Sequence, residues 1–104
     1  MPSKSKSKGN RFERLCVNIA EENGIKAVRA WGSDGRSLGE VAEVDIVLDK
    51  YKEQCKTRKR IAKWIKPESE KIDFQLVKED RGKIYAILTY ESLLALLCQN
   101  LTKD

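Results

Sequence analysis

Val44-Asp45-Ile46-Val47-Leu48-Asp49-Lys50-Tyr51-Lys52-Glu53-Gln54-Cys55-Lys56 is the stretch that decides the fold. It predicts two antiparallel strands, near 43–48 and 52–58, joined around Asp49-Lys50-Tyr51. Strand side chains alternate between faces. Asp45 therefore shares a face with Glu43 and Val47, and Gln54 shares one with Lys52, Lys56 and Arg58. An acid, an amide oxygen and a lysine are gathered on one hairpin. In a basic chain that group suits metal-assisted attack on a phosphodiester; a merely solvated hairpin face carries the same residue types.

On the N-terminal side, residues 1–8 alternate Ser and Lys and read as a disordered basic arm. From Asn10 to Asn23, Phe12, Leu15, Cys16, Ile19 and Ala20 recur at helical spacing, with Asn10 as N-cap and Gly24 as the stop. Ile25 to Trp31 reads as a strand, and the glycine-rich run from Gly32 to Gly39 as a flexible loop. Beyond the hairpin, Lys59 to Ile65 predicts a short helix that Pro67 ends. Ile72, Phe74 and Leu76 alternate as a strand, and Asp80-Arg81-Gly82-Lys83 turns into a second strand, Ile84 to Leu88. Thr89 caps a last helix carrying Leu93, Leu94, Leu96, Leu97 and Leu101. The order is α-β-β-β-α-β-β-α.

At 104 residues the chain predicts one domain with one modest core. No apolar run is long enough for a membrane span, and the start lacks the apolar segment of a secretory signal. Three scattered cysteines, Cys16, Cys55 and Cys98, point to reduced thiols in a cytoplasmic setting and to no zinc knuckle. They read as small, mostly buried hydrophobes. The chain has no histidine, which removes every nucleophile scheme and general base that depends on one. Any catalysis must run on carboxylates, lysines and a hard metal.

The net charge of +5 is unevenly spread. Residues 1–36 hold eight Lys/Arg against four acids, and residues 50–66 hold eight against one. Between them, residues 37–49 hold four acids and no base. An acidic segment between two basic ones suits a phosphate-binding surface around a metal site. The run Lys56-Thr57-Arg58-Lys59-Arg60, following directly on the second hairpin strand, points to nucleic acid.

Asp45 followed by Gln54-Cys55-Lys56 resembles the PD-(D/E)XK nuclease signature, in which an Asp ends one strand and a Glu or Gln, one residue, then Lys follow on the next. Three further pieces extend the likeness: Lys8-Gly9 with Glu13-Arg14, Arg29-Ala30-Trp31-Gly32-Ser33, and the ending from Val77-Lys78-Glu79 to Glu91-Ser92-Leu93-Leu94. From Lys8 to Leu97 the chain resembles the archaeal-type Holliday junction resolvases and their phage and plasmid relatives. That resemblance implies an α/β (α+β), restriction-endonuclease-like domain over residues 9–104, with a mixed sheet of about five strands flanked by helices. It implies catalytic roles for Glu13, Ser33, Asp45, Gln54 and Lys56, with Glu13, Asp45 and Gln54 holding Mg²⁺, for which Mn²⁺ substitutes.

The DNA contacts expected are Lys8, Arg11, Arg29, Arg36, Arg58, Lys59, Arg60 and Lys63, while Trp31 and Trp64 are assigned to the core or an interface. Two departures stand out. Gln54 occupies the position where the family usually has Glu, and only eight residues separate it from Asp45. The function implied is a structure-selective endonuclease that cuts four-way DNA junctions as a homodimer, in the cytoplasm of a prokaryotic or phage-infected cell. The alternatives are a PD-(D/E)XK endonuclease of intron-encoded or repair type, and a non-catalytic module that binds branched DNA.

Overall fold

The computed structural model describes residues 4–101. They gather into two compact units, Met1–Thr57 and Arg58–Asp104, each built around its own antiparallel sheet. The first unit opens with helix α1, Lys4–Glu22. Its buried stripe is Glu13, Cys16 and Ala20, three and four residues apart, while Leu15 of the predicted apolar face is half exposed. The helix runs back through residues 4–8, which the Ser-Lys alternation set apart as an arm, and Asn10 is interior to it rather than its cap. Lysine is a good helix former and nothing in that run breaks the ladder; residues 1–3 of the arm lie outside the described residues.

The end of α1 falls where Gly24 predicts it. Gly24 takes φ 78°, its N–H donates to the Glu21 carbonyl at 3.0 Å, and the Ile25 N–H donates to the Ala20 carbonyl at 3.0 Å. This pair of bonds is a Schellman cap, and a residue without a Cβ adopts its left-handed position without strain. The cap turns Ile25 directly into the core, where it is fully buried.

Strand β1, Ala27–Arg29, pairs with β2, Ile46–Leu48, and β2 pairs with β3, Tyr51–Glu53. β2 is central, and α1 packs on β1 and β2. Arg29, Ile46 and Glu53 form one row across the sheet, and Ala27, Leu48 and Tyr51 another. Ile25, Ile46 and Leu48 are the largest fully buried side chains of this unit. Each stabilises by about 1.5–3 kcal/mol relative to an exposed position. The hairpin turns on Asp49 and Lys50, with Asp49 at φ 55°, a left-handed conformation that Asp tolerates better than most residues.

The run from Gly32 to Gly39, expected to be flexible, is two 3₁₀ turns, Trp31–Ser33 and Gly35–Leu38. The reason is close approach. Gly35 is buried, and a Cβ there would strike the carbonyl oxygen of Val41 and lie 2.8 Å from that of Val44.

In the second unit, β4, Gln75–Lys78, pairs with β5, Ile84–Ile87, and helix α2 spans Tyr90–Leu101. The Thr89 hydroxyl accepts the Ser92 N–H at 3.2 Å, the N-cap expected for that threonine. Leu94 is the one fully buried residue of this unit among those described, and Leu96 is half exposed. The helix predicted from Lys59 to Ile65 shortens to a 3₁₀ turn, Lys63–Ile65. Lys59, Arg60 and Lys63 crowd that short run, and its apolar residues Ile61, Ala62 and Trp64 are exposed, so no buried face stabilises a longer helix.

The five strands thus form an antiparallel three and an antiparallel two, not one mixed sheet. The α+β class stands; the single sheet does not. β3 ends at Glu53 instead of reaching Arg58, because the ladder is interrupted opposite Asp45, as described below.

Gly35→Ala is expected to destabilise the fold by about 1–3 kcal/mol through overpacking, seen as a lower urea midpoint with an unchanged slope. An unchanged midpoint would mean that the 31–39 segment has room to give.

Candidate active site

Asp45 sits one residue before β2 and is held from both sides. Its carbonyl accepts the Ala30 N–H at 2.8 Å, and its own N–H donates to the Glu53 carbonyl at 2.8 Å. Glu53 already faces Ile46 in the register, so Asp45 and Ile46 together oppose one residue of β3. That two-against-one count defines a β-bulge, a device that re-aims a side chain. The simple alternation that would place Asp45 with Val47 therefore fails at this point. Val44, Asp45 and Ile46 are consecutive and all buried.

The Asp45 side chain replaces the missing ladder bond. Its Oδ2 accepts the Cys55 N–H at 2.6 Å, an N–H belonging to the Gln54–Cys55 peptide. The central motif of the sequence is thus physically closed: Asp45 grips the segment just after β3, which carries Gln54 and Lys56. Gln54 and Lys56 are both exposed.

Glu13 comes to this region from α1 and is 5% exposed. Its Oε1 lies 3.8 Å from Nε of Arg29, and Arg29 Nη1 donates to the Asn10 carbonyl at 3.4 Å. Arg29 is therefore tied to the helix that supplies Glu13, and its guanidinium partly compensates that acid's burial. Two thiols complete the interior. Burial pushes the Cys55 thiol well up from its ordinary value, reinforced by Cys16, Glu53, Asp45 and Glu13. Cys16 is raised too, by burial and then by Glu53, with a hydrogen bond to Cys55 working the other way. Thiols so shifted stay protonated at neutral pH and are poor nucleophiles. No disulfide is formed by Cys16, Cys55 or Cys98; Cys16 is buried, and the other two are half-buried.

The segment after β1 is braced by its own polar groups. The Trp31 N–H donates to Ser37 Oγ at 2.9 Å, and Ser37 Oγ donates to the Asp34 carbonyl at 3.0 Å. Asp34 accepts the Arg36 N–H at 3.0 Å and pairs with the Arg36 guanidinium, Nη2 to Oδ2 at 2.6 Å. Ser33 lies within the first 3₁₀ turn. Trp31 is 84% exposed and Trp64 63%, so neither fills the core of the chain.

Lys8 and Arg11 are exposed on α1. In the second unit Arg58, Lys59, Arg60 and Lys63 are all exposed, and the first three line an open hollow of about 440 Å³ with Ile61 and Lys66.

Sequence reasoning overlooked Glu53, whose half-buried side chain acts on both thiols, and the Cys55 N–H as the partner of Asp45. The signal for Glu53 was present: on a strand that places Gln54 outward, its neighbour must point inward. The bulge has no comparable sequence signature.

Among the described residues no group of three or more acidic, cysteine or histidine side chains is set to hold a metal ion. Glu13 and Asp45 are buried carboxylates that both act on Cys55, and the exposed Gln54 amide lies in the segment just after β3. Carboxylate and amide oxygens are the donor types that a hard cation such as Mg²⁺ takes. Among the described residues no helix is long and apolar enough to cross a membrane.

The chain belongs to the archaeal Holliday junction resolvase family, whose model matches residues 4–73. It is therefore a member of a nuclease family that acts on junction DNA, in recombination and repair. The match takes in α1, the whole three-stranded sheet and the basic run, and stops before β4, β5 and α2. No curated protein and no solved structure matches the chain significantly.

The Asp34–Arg36 pair gives the segment after β1 a pH dependence. The Arg36 side chain, then its N–H, holds the Asp34 carboxyl below the usual carboxylate range. A folded value below the unfolded one, about 3.9, means that the pair supports the loop above that pH. The support is lost as pH falls through the depressed value. The protection of the Arg36 and Ser37 amides, measured against the intrinsic exchange rate at each pH, is expected to fall below about pH 4, and Asp34→Ala to show low protection already at pH 6. Equal exchange in wild type and variant at pH 6 would show that the pair does not hold the loop.

Proposed function

We propose that this chain is a Mg²⁺-dependent endonuclease that cuts four-way DNA junctions as a homodimer. The observation that carries the reading is the bond from the Cys55 N–H to Asp45. In a member of the junction-resolvase family, it fixes a buried acid against the segment after β3 that bears Gln54 and Lys56.

Asp45, the Gln54 side-chain oxygen and Glu13 would hold Mg²⁺, with Mn²⁺ as a substitute. When bound, the ion supplies Lewis acidity toward the scissile phosphate and makes water acidic enough to attack it. The remaining work falls to the chain itself. Burial and the Cys55 N–H fix the Asp45 carboxylate in one orientation, so no reorganisation is needed at the moment of reaction. Arg29 orients Glu13 from the side. Lys56 places an ammonium where charge builds on the non-bridging phosphate oxygens, and Ser33 and Arg36 contact the flanking phosphate. Lys8, Arg11, Arg58, Lys59, Arg60 and Lys63 supply salt-dependent affinity for the DNA backbone. Cutting two strands symmetrically requires two sites related by a two-fold axis, hence a homodimer.

Gln54 favours a second reading. It is neutral where the family usually has Glu, so a non-catalytic protein that binds branched DNA would need no further change. Mg²⁺-dependent nicking of a synthetic junction separates the two, and comparison with linear duplex separates junction cutting from an endonuclease of intron-encoded or repair type.

Asp45→Asn keeps an oxygen to accept the Cys55 N–H and removes only the charge. It is expected to abolish cleavage while leaving the fold and junction binding nearly intact, and Lys56→Ala is expected to do the same. Cleavage by either variant at the wild-type rate would contradict the roles given to these two side chains.

Gln54→Glu adds a charge beside the cation, on the order of 1–4 kcal/mol before desolvation, and is expected to shift the Mg²⁺ dependence of cleavage to lower concentration. Gln54→Leu removes the ligand oxygen and should nearly silence the enzyme. Wild-type cutting by Gln54→Leu would mean that the amide is no ligand.

A further inference from the structure

We propose that the Trp31 indole reads the junction, providing a stacking platform for a base left unstacked at the branch point beside Asp45. This inference rests on the function proposed above and adds the element that distinguishes a branched substrate from a plain duplex.

Three observations carry it. The first is exposure: at 84%, Trp31 is the most exposed large apolar side chain among those described, more so than Trp64 at 63%. Leaving an indole in water forfeits a large burial term, so a fold that positions one there gains nothing in stability from it.

The second is rigidity. Trp31 is not on a loose tip. Its N–H is bonded to Ser37 Oγ, that hydroxyl is bonded to the Asp34 carbonyl, and Asp34 is tied to Arg36. The Asp34 N–H closes the turn on the Trp31 carbonyl at 3.2 Å, and Gly35 is packed beneath against Val41 and Val44. The backbone that carries the ring is thus held before binding, which limits the freedom lost on binding.

The third is position. Ala30, the residue before Trp31, donates its N–H to the Asp45 carbonyl at 2.8 Å. The indole therefore leaves the chain one residue beyond a direct backbone contact with the candidate catalytic acid. Arg29, two residues upstream, and Arg36, in the second turn, add cations on the same segment. An exposed flat π surface suits an unstacked base. The base pairs in the interior of a linear duplex are stacked on both faces and offer none. A crossover point interrupts the stack, and an apolar side chain placed there holds it open.

Stacking of one base on an aromatic side chain is worth about 1–3 kcal/mol by alanine substitution, which converts to roughly 5- to 150-fold in affinity at 1.4 kcal/mol per tenfold. Trp31→Ala empties no core, so the variant folds. It is expected to lose about that factor in binding to an immobile four-way junction while its affinity for a linear duplex of equal length is unchanged. Trp31→Phe should recover part of the loss.

The direct readout is indole emission in Trp64→Phe protein, where Trp31 is the remaining tryptophan. Titration with the junction should quench that emission, and titration with duplex should leave most of it. Junction binding with unquenched emission, or equal losses on junction and duplex in Trp31→Ala, would overturn the stacking role alone. Failure of the wild-type chain to bind junctions in preference to duplex would overturn the junction-cutting function, and the stacking role with it.

Discussion

One hydrogen bond organises the candidate site: the Cys55 N–H on the Asp45 carboxylate, 2.6 Å long and part-buried. A charge-assisted bond of this kind is shorter and stronger than one between neutral groups. It solves two problems at once. The bulge at Asp45 leaves a strand amide without its ladder partner, and burial leaves a carboxylate without water. Each group satisfies the other, and the segment after β3 that carries Gln54 and Lys56 is thereby fixed to the residue that leads into β2. Without the acceptor, a buried donor would be left unsatisfied at a cost of about 1–3 kcal/mol. The acid is therefore structural and, in the proposed mechanism, chemical.

The electrostatics follow from the same arrangement. Glu13, Asp45 and Glu53 act on two protonated thiols, and Arg29 is the cation drawn toward Glu13. The interior of this unit is acid-rich while its flanks and the second unit carry exposed Lys and Arg. A phosphodiester brought against these carboxylates in the proposed chemistry meets like charge, a conflict that a divalent cation removes. In the proposed chemistry, Gln54 weakens that central charge by one unit without removing the oxygen.

Much of this was legible in the sequence wherever a local rule governs the backbone. Gly24 ends α1 because a Schellman cap needs a left-handed residue, and Thr89 caps α2 through its hydroxyl. The hairpin and its turn follow from alternation on either side of Asp49-Lys50. The bulge was not legible, because nothing in Val44-Asp45-Ile46 distinguishes a side-chain acceptor from a regular ladder. Nor was the order of the 31–39 segment, since Gly35 is needed for a contact with Val41 and Val44 that is distant from any local pattern. Helical spacing set Glu13 outside the apolar face and Leu15 within it; tertiary packing put Glu13 in and left Leu15 half out. Of the core or interface expected for the tryptophans, only the core is removed by their exposure, which is seen only once the backbone is placed.

The central claim is that Asp45 and Glu13, with the Gln54 oxygen, form a site for a divalent cation. Anomalous diffraction from a crystal soaked in Mn²⁺ tests it most directly. The account predicts a single strong peak bonded to Asp45 and Glu13, with the Gln54 side-chain oxygen turned toward it and waters completing the shell. Mn²⁺ bound elsewhere in the crystal, with no density at Asp45, would contradict it.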